Sequence, residues 1–165
     1  MTLPEMSELN AIDGEAGRIA AMAFEPDALA ILQERRVAVF GTLLGAGGPG
    51  LACVWYGIDG GDLIISTPAG RRKDKNIRAD PRVSLIVDAS DYSMPPGTLG
   101  YKGVEVRGEA IMEDDDDGSL RRKIVGRYLD PIPPEFEARF TAQERAIIRI
   151  RPSKVRVWDY TNGRR

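Results

Sequence analysis

Between Ser66 and Arg82 the chain gathers the residue types that hold an anion. Arg71, Arg72, Lys73, Lys75, Arg78 and Arg82 stand against only Asp74 and Asp80. That is a local excess of four positive charges in a chain whose formal net charge is −2, so the remainder carries −6. Ser66 and Thr67 lie just before the segment and offer hydroxyl donors. Gly70 permits a close backbone approach to a ligand. A helix beginning near Arg71 adds unpaired N–H groups and the positive end of its dipole. Arg72 and Lys73 share a helix face with Asn76 through i+4 and i+3 spacing. Together these groups suit a phosphate. The same charges also suit a solvated helix face, the ordinary role of a charge run. A nucleic-acid surface is not expected, because one short cluster lacks a stacking platform.

The rest of the composition closes other routes. The histidine count is zero. That removes Ser-His-Asp and Cys-His catalysis, HExxH zinc sites and His-ligated haem. An enzyme of this kind draws its reactive chemistry from a bound cofactor. The single cysteine, Cys53, permits no intrachain disulfide and suits a reducing compartment. Its mid-strand, apolar context suggests inert packing. The acidic run Glu113–Asp117 lacks the spaced ligands of a calcium loop and reads as a strand-to-helix turn, so no metal site is expected. No apolar run approaches a membrane span, and residues 1–10 show neither a basic nor an apolar leader stretch. The expectation is a cytoplasmic protein.

Length and pattern define the elements that must position the basic segment. The 165 residues suffice for one domain, and 42% of them are hydrophobic. The expected division is an N-terminal extension over 1–26, a barrel domain over 27–160 and a tail over 161–165. Helices are expected over Glu15–Phe24 and Pro26–Gln33. Three strands follow, over Arg36–Leu44, Leu51–Ile58 and Asp62–Thr67, joined by glycine-rich turns as a meander. The basic helix ends at Asp80-Pro81. Further strands are expected over Arg82–Asp88 and Tyr101–Met112, the latter alternating between core and solvent. After the helix Leu120–Leu129 and a short helical piece over Glu135–Phe140 come two last strands, Ala146–Ile150 and Val155–Trp158. At least seven short strands suggest a mainly β fold, a split antiparallel barrel with peripheral helices. Strands apolar on both faces, such as Val37–Phe40, call for outer cover by helices or by a second subunit.

A longer pattern carries a family resemblance. Thr67-x-x-Gly70-Arg71-x-Lys73-x-x-Asn76-Ile77-x-x-Asp80-Pro81-Arg82-Val83-Ser84-Leu85 resembles the signature segment of the pyridoxamine 5'-phosphate oxidase-like split-barrel superfamily. More narrowly it resembles the flavin/deazaflavin oxidoreductases. Val54-Trp55-Tyr56 and Val104-Glu105-Val106-Arg107-Gly108 stand in the order that family shows, and the likeness spans roughly residues 27–158. The resemblance implies a homodimer with the cofactor at the subunit interface. It implies that Ser66, Thr67, Arg71, Lys73 and Asn76 bind the cofactor's phosphate-bearing side chain, with Arg72 and Lys75 assisting, and that Trp55 and Tyr56 pack near the ring. The Gly-Arg-x-Lys-x-x-Asn form resembles the branch using the deazaflavin coenzyme F-420 more than the FMN branch. The implied reaction is hydride transfer to an electron-poor small molecule such as an enone, a quinone or a tetrapyrrole like biliverdin. An FMN-dependent oxidoreductase or oxidase and a non-catalytic cofactor-binding module are the alternatives. Tyr101 and Lys102 are candidate proton donors, opening a strand after the 89–100 loop.

Overall fold

The computed structural model describes residues 24–95, 98, 100–142 and 145–161, with only the backbone for 139–142. The helix expected over Glu15–Phe24 lies outside the described residues apart from Phe24. Helix α1 spans Pro26–Gln33. Proline suits its first turn, and Ala28, Ile31 and Leu32, spaced i, i+3 and i+4, are its buried face. Strands β1 (Ala38–Leu43), β2 (Pro49–Val54), β3 (Gly57–Asp59) and β4 (Asp62–Pro68) follow. Then come α2 (Arg72–Ala79), β5 (Arg82–Asp88), β6 (Lys102–Asp114), α3 (Ser119–Tyr128), α4 (Pro134–Ala142) and β7 (Arg145–Asp159).

All seven strands form one antiparallel sheet in the order β2-β1-β5-β6-β7-β4-β3. Strands β2 and β3 occupy its opposite edges, yet only Trp55 and Tyr56 separate them in the chain. A link that short spans about 11 Å when extended. The sheet must therefore curl until its edges nearly meet, which makes the split barrel. The interior is filled by Ala38, Phe40, Leu63, Ile65, Leu85, Val104, Val106 and Ile148, among others.

This closure corrects two sequence expectations. Leu51–Ile58 is not one strand in a three-stranded meander: β2 pairs with β1, while β3 pairs with β4 across the split. The segments Ala146–Ile150 and Val155–Trp158 are one long strand. Its partner β6 shifts register between Arg107 and Gly108, leaving Ser153 as the extra residue of a bulge. Gly108 is required there, since a Cβ would sit 2.1 Å from the Arg151 carbonyl oxygen. The alternation expected for β6 holds, with Val104, Val106, Gly108 and Ala110 buried and Arg107 and Glu109 exposed.

The barrel's outer cover is uneven. Helix α3 lies over β4, where Ile124 packs with Ile64 and Ile147 in a second small core. The acidic run starts that helix: Asp115 accepts hydrogen bonds from the Leu120 and Arg121 N–H groups, and Asp117 from that of Ser119. Helix α2 meets β1 at the buried Thr42, whereas Val37, Val39, Leu51 and Ile86, on the outward side of β2, β1 and β5, are exposed. No described helix is long and apolar enough to cross a membrane.

Candidate functional site

The C-terminal end of β4 and the start of α2 face β2 across the split. Pro68 ends the strand, and Gly70 turns the chain in the left-handed region with φ +69°. Asp74, only 6% exposed, fixes that turn: its Oδ2 accepts from the Gly70 N–H at 2.9 Å and its Oδ1 from Arg78 Nε at 2.5 Å. Arg71 is the N-cap of α2, in extended conformation and without a side-chain cap. The first N–H groups of the helix therefore have no intrahelical partner and no capping side chain. Asn76, one turn on, donates from Nδ2 to Thr42 Oγ1 of β1 at 2.9 Å and ties the helix to the barrel.

Both acids of the basic segment are spent locally. Asp74 takes Arg78, and Asp80 takes Arg82 at 2.6 Å. Arg71, Arg72, Lys73 and Lys75 have no carboxylate partner among the described residues. The first three line a cleft of about 600 Å³ together with Thr42, Thr67 and Asn76. The pairing pattern thus separates charges that hold the segment together from charges that face an opening. Arg71 and Arg72 are exposed, as a solvated face requires, and with Lys73 they also border a concave opening.

A second lobe of about 410 Å³ shares Thr67, Pro68 and Lys73 with the first and extends to Trp55, Ser66, Phe136 and Arg145. Thr67 lies at the junction. It is 1% exposed, and its hydroxyl oxygen has no hydrogen-bond partner. A buried polar atom without a partner costs stability, and this one lies beside an opening. Trp55 is held flat by stacking on Tyr128, with ring centroids 4.7 Å apart and an interplanar angle of 8°. Ser66 Oγ accepts from Arg145 Nε at 2.9 Å.

The structure therefore brings Ser66, Thr67, Arg71, Arg72, Lys73, Asn76 and Trp55 to one two-lobed cleft. Gly70 shapes it without lining it, and its N–H is already taken by Asp74. Lys75 lies outside both linings, exposed on another face of α2. Tyr56 belongs to the core instead. It is fully buried, and its hydroxyl donates to the Leu32 carbonyl oxygen at 2.9 Å. Arg127 lies over its ring at 4.4 Å, and burial pushes its phenol up to about 12. Successive residues point to opposite sides of an extended chain, so Trp55 and Tyr56 cannot both face the cleft. Tyr101 and Lys102 sit at the other end of the molecule. Lys102 pairs with Asp159 in register while Asp114, twelve residues further along β6, pairs with Ala146, the neighbour of Thr67. That is roughly 40 Å of strand. Lys102 is also engaged by Glu34 at 3.1 Å. Within one protomer neither residue reaches the cleft.

Three site residues escape a reading of the sequence. Asp74 looks like a mere counter-charge until its buried bonds are seen. Thr42 lies 34 residues from its partner Asn76. Arg145 precedes the expected strand, and its contact with Ser66 spans 79 residues, so no local signal reveals it.

Residues 24–159 match the family model described as pyridoxamine 5'-phosphate oxidase. The chain is similar to a conserved hypothetical protein from Mycobacterium tuberculosis, at 26% identity over 82% of this chain and 84% of the other, with a TM-score of 0.69. It is similar to a protein named F-420 reductase, at 26% identity over 81% of this chain and 98% of the other, with a TM-score of 0.63. A heme storage protein from Vibrio cholerae shares the fold, at 16% identity over 82% of this chain and 93% of the other, with a TM-score of 0.60.

Proposed function

We propose, because this chain belongs to the pyridoxamine 5'-phosphate oxidase family, that it is an oxidoreductase using reduced coenzyme F-420 to reduce an electron-poor small molecule. The carrying observation is the cationic lobe: three bases without carboxylate partners among the described residues, an uncapped helix start and an orphaned buried hydroxyl converge on one cleft. That donor set fits a phosphate-bearing cofactor. More positive charge gathers there than one phosphate needs, which favours a cofactor with a polyanionic tail over FMN. The likeness to a protein named F-420 reductase supports the same choice.

In this reading Arg71, Arg72 and Lys73 hold the phosphate and tail. The first N–H groups of α2 complete the anion's shell. Thr67 donates its hydroxyl at the junction of the lobes. When bound, the reduced ring supplies the hydride. Trp55 and Phe136 wall the second lobe and keep water from the reacting face. Among the described residues no carboxylic acid or tyrosine lines either lobe, and in this reading solvent supplies the proton that completes the reduction.

The uncovered face of β2, β1 and β5 suits a second copy of the chain. Leu51 is 70% exposed and leans over Gly41, whose missing side chain leaves a shallow seat. Val39 lies between Cys53 and Ile86 in register, and the Glu105–Arg107 ion pair rims the patch. Since β2 also borders the cleft, the dimer would lend it a wall.

The test is a pair of fluorescence titrations of the apoprotein, with coenzyme F-420 and with FMN, repeated on Lys73→Ala. Tighter F-420 binding that weakens in the variant is expected. Tighter FMN binding would move the protein to the flavin branch. Cofactor binding without oxidation of the reduced form by any acceptor in a broad panel would make it a binding module. Light scattering on Val39→Asp reads the dimer: a shift to half the wild-type mass is expected, and a wild-type monomer refutes it.

A further inference from the structure

The second lobe holds a charge that the phosphate reading leaves unused. Arg145 is half-buried at the start of β7, opposite Pro68 in register. Its Nε donates to Ser66 Oγ at 2.9 Å and an Nη to the Ser66 carbonyl oxygen at 3.3 Å. These neutral partners orient the guanidinium without neutralising it, and no carboxylate pairs with it among the described residues. Burial works against its charged form, and the positive charge of Arg121 adds to that pressure. An arginine stays protonated nonetheless, so the lobe carries a partly desolvated cation with no counter-charge among the described residues. The unpartnered Thr67 hydroxyl and the Lys73 ammonium face the same space, and Trp55 and Phe136 give it apolar walls.

We infer that this second lobe is the acceptor's subsite, and that Arg145 selects acceptors carrying a carboxylate on a planar apolar body. The inference rests on the cationic lobe being the cofactor's phosphate site and adds the class of substrate to it. The fork still has terminal N–H groups to offer, and a planar guanidinium matches a carboxylate in two parallel bonds. The stacked Trp55 ring offers a fixed flat surface for the body of the molecule. A lobe of about 410 Å³ is within the ordinary size of small-molecule sites.

The probe is 2-naphthoate, with neutral 2-naphthamide as its isostere, titrated calorimetrically into the apoprotein and into protein saturated with FMN or coenzyme F-420. Naphthoate is expected to bind and naphthamide to bind far more weakly. Arg145→Met should weaken naphthoate on the order of ten- to a hundredfold while leaving cofactor affinity at the wild-type value. Arg145→Lys keeps the charge but not the fork, and should recover only part of the loss. It also serves if the methionine variant fails to fold. Equal binding of the two probes overturns the inference. So does a loss of cofactor affinity in Arg145→Met as large as the loss for naphthoate, which would give Arg145 to the cofactor's own tail. If the wild type binds naphthoate selectively but neither cofactor, the cofactor reading fails while the carboxylate subsite stands.

Discussion

Arg149, in the first third of β7, meets three carboxylates, whereas Arg71, Arg72 and Lys73, at the mouth of the cleft, meet none among the described residues. Arg149 reaches Glu113 at 2.5 Å, Asp59 at 2.9 Å and Asp62 at 3.5 Å, and is only 17% exposed. Those partners come from β6 and from the β3–β4 turn, so the guanidinium pins one edge of the split to the strands beside it. They also raise its already high pKa, with Glu113 the foremost cause. The cleft cations instead stand on a segment whose two acids are bound to Arg78 and Arg82. Equal charge therefore serves two ends. Where the protein supplies the counter-charge, a cation holds the fold; in the proposed function, a cation whose counter-charge is withheld serves a ligand.

Removing each cation in turn tests that division. Arg149→Met strands partly buried carboxylates, and should lower unfolding stability by roughly 2–4 kcal/mol. Denaturant titration reads the loss, and cofactor affinity of the folded variant should not change. A variant with wild-type stability would break the comparison. The Arg71→Ala, Arg72→Ala double variant should do the reverse. Its cofactor dissociation constant should rise about a hundredfold, roughly 2.7 kcal/mol, while the denaturation midpoint stays near the wild-type value. Wild-type affinity should also fall with added salt, as expected of ligand contacts near a surface.

Asp74→Ala falls between the two regions. It frees the Gly70 N–H and Arg78 together, so both stability and affinity should drop by about 1–2 kcal/mol. Loss of only one would assign Asp74 wholly to fold or to site.

Acid sharpens the comparison with the smallest effect. Hydrogen bonding from Lys123, and then from Arg149, holds the Asp59 carboxyl below its ordinary range against the opposing effect of burial. A depressed carboxylate contributes stability that is complete above its unfolded pKa, ordinarily near 3.8, and that fades as pH falls through the folded value. The stability gap between wild type and Arg149→Met should therefore be widest near about pH 6 and narrow below about pH 4. A gap that widens in acid would mean that these pairs do not carry the Arg149 contribution.

Much of this was legible in the sequence, for local reasons. The alternation of β6 follows from a two-residue period, and the turn, helix and acids of residues 70–82 interact within a few residues of one another. Trp55 and Tyr56 mark the limit. Adjacency says that they point opposite ways, but only the break between β2 and β3 decides which one enters the core. The meander expectation failed for the same reason. A hairpin rule sees neighbours in the chain, while β3 pairs across a split created by the curl of the whole sheet.

By itself the sequence determined the local chemistry: a cation-rich helix start after a strand end, and apolar patterns that must be buried as a mainly β barrel. These depend on residue type and on separations of a few residues, which any fold containing those elements preserves. Only the tertiary structure set Arg149 against Glu113, Asp59 and Asp62 and brought the cations of α2 up to β1 and β2. It also brought Arg145 to Ser66 and left the Thr67 hydroxyl buried without a partner. Those outcomes depend on strands distant in sequence meeting in register, and the register is set by burying the barrel's interior as a unit.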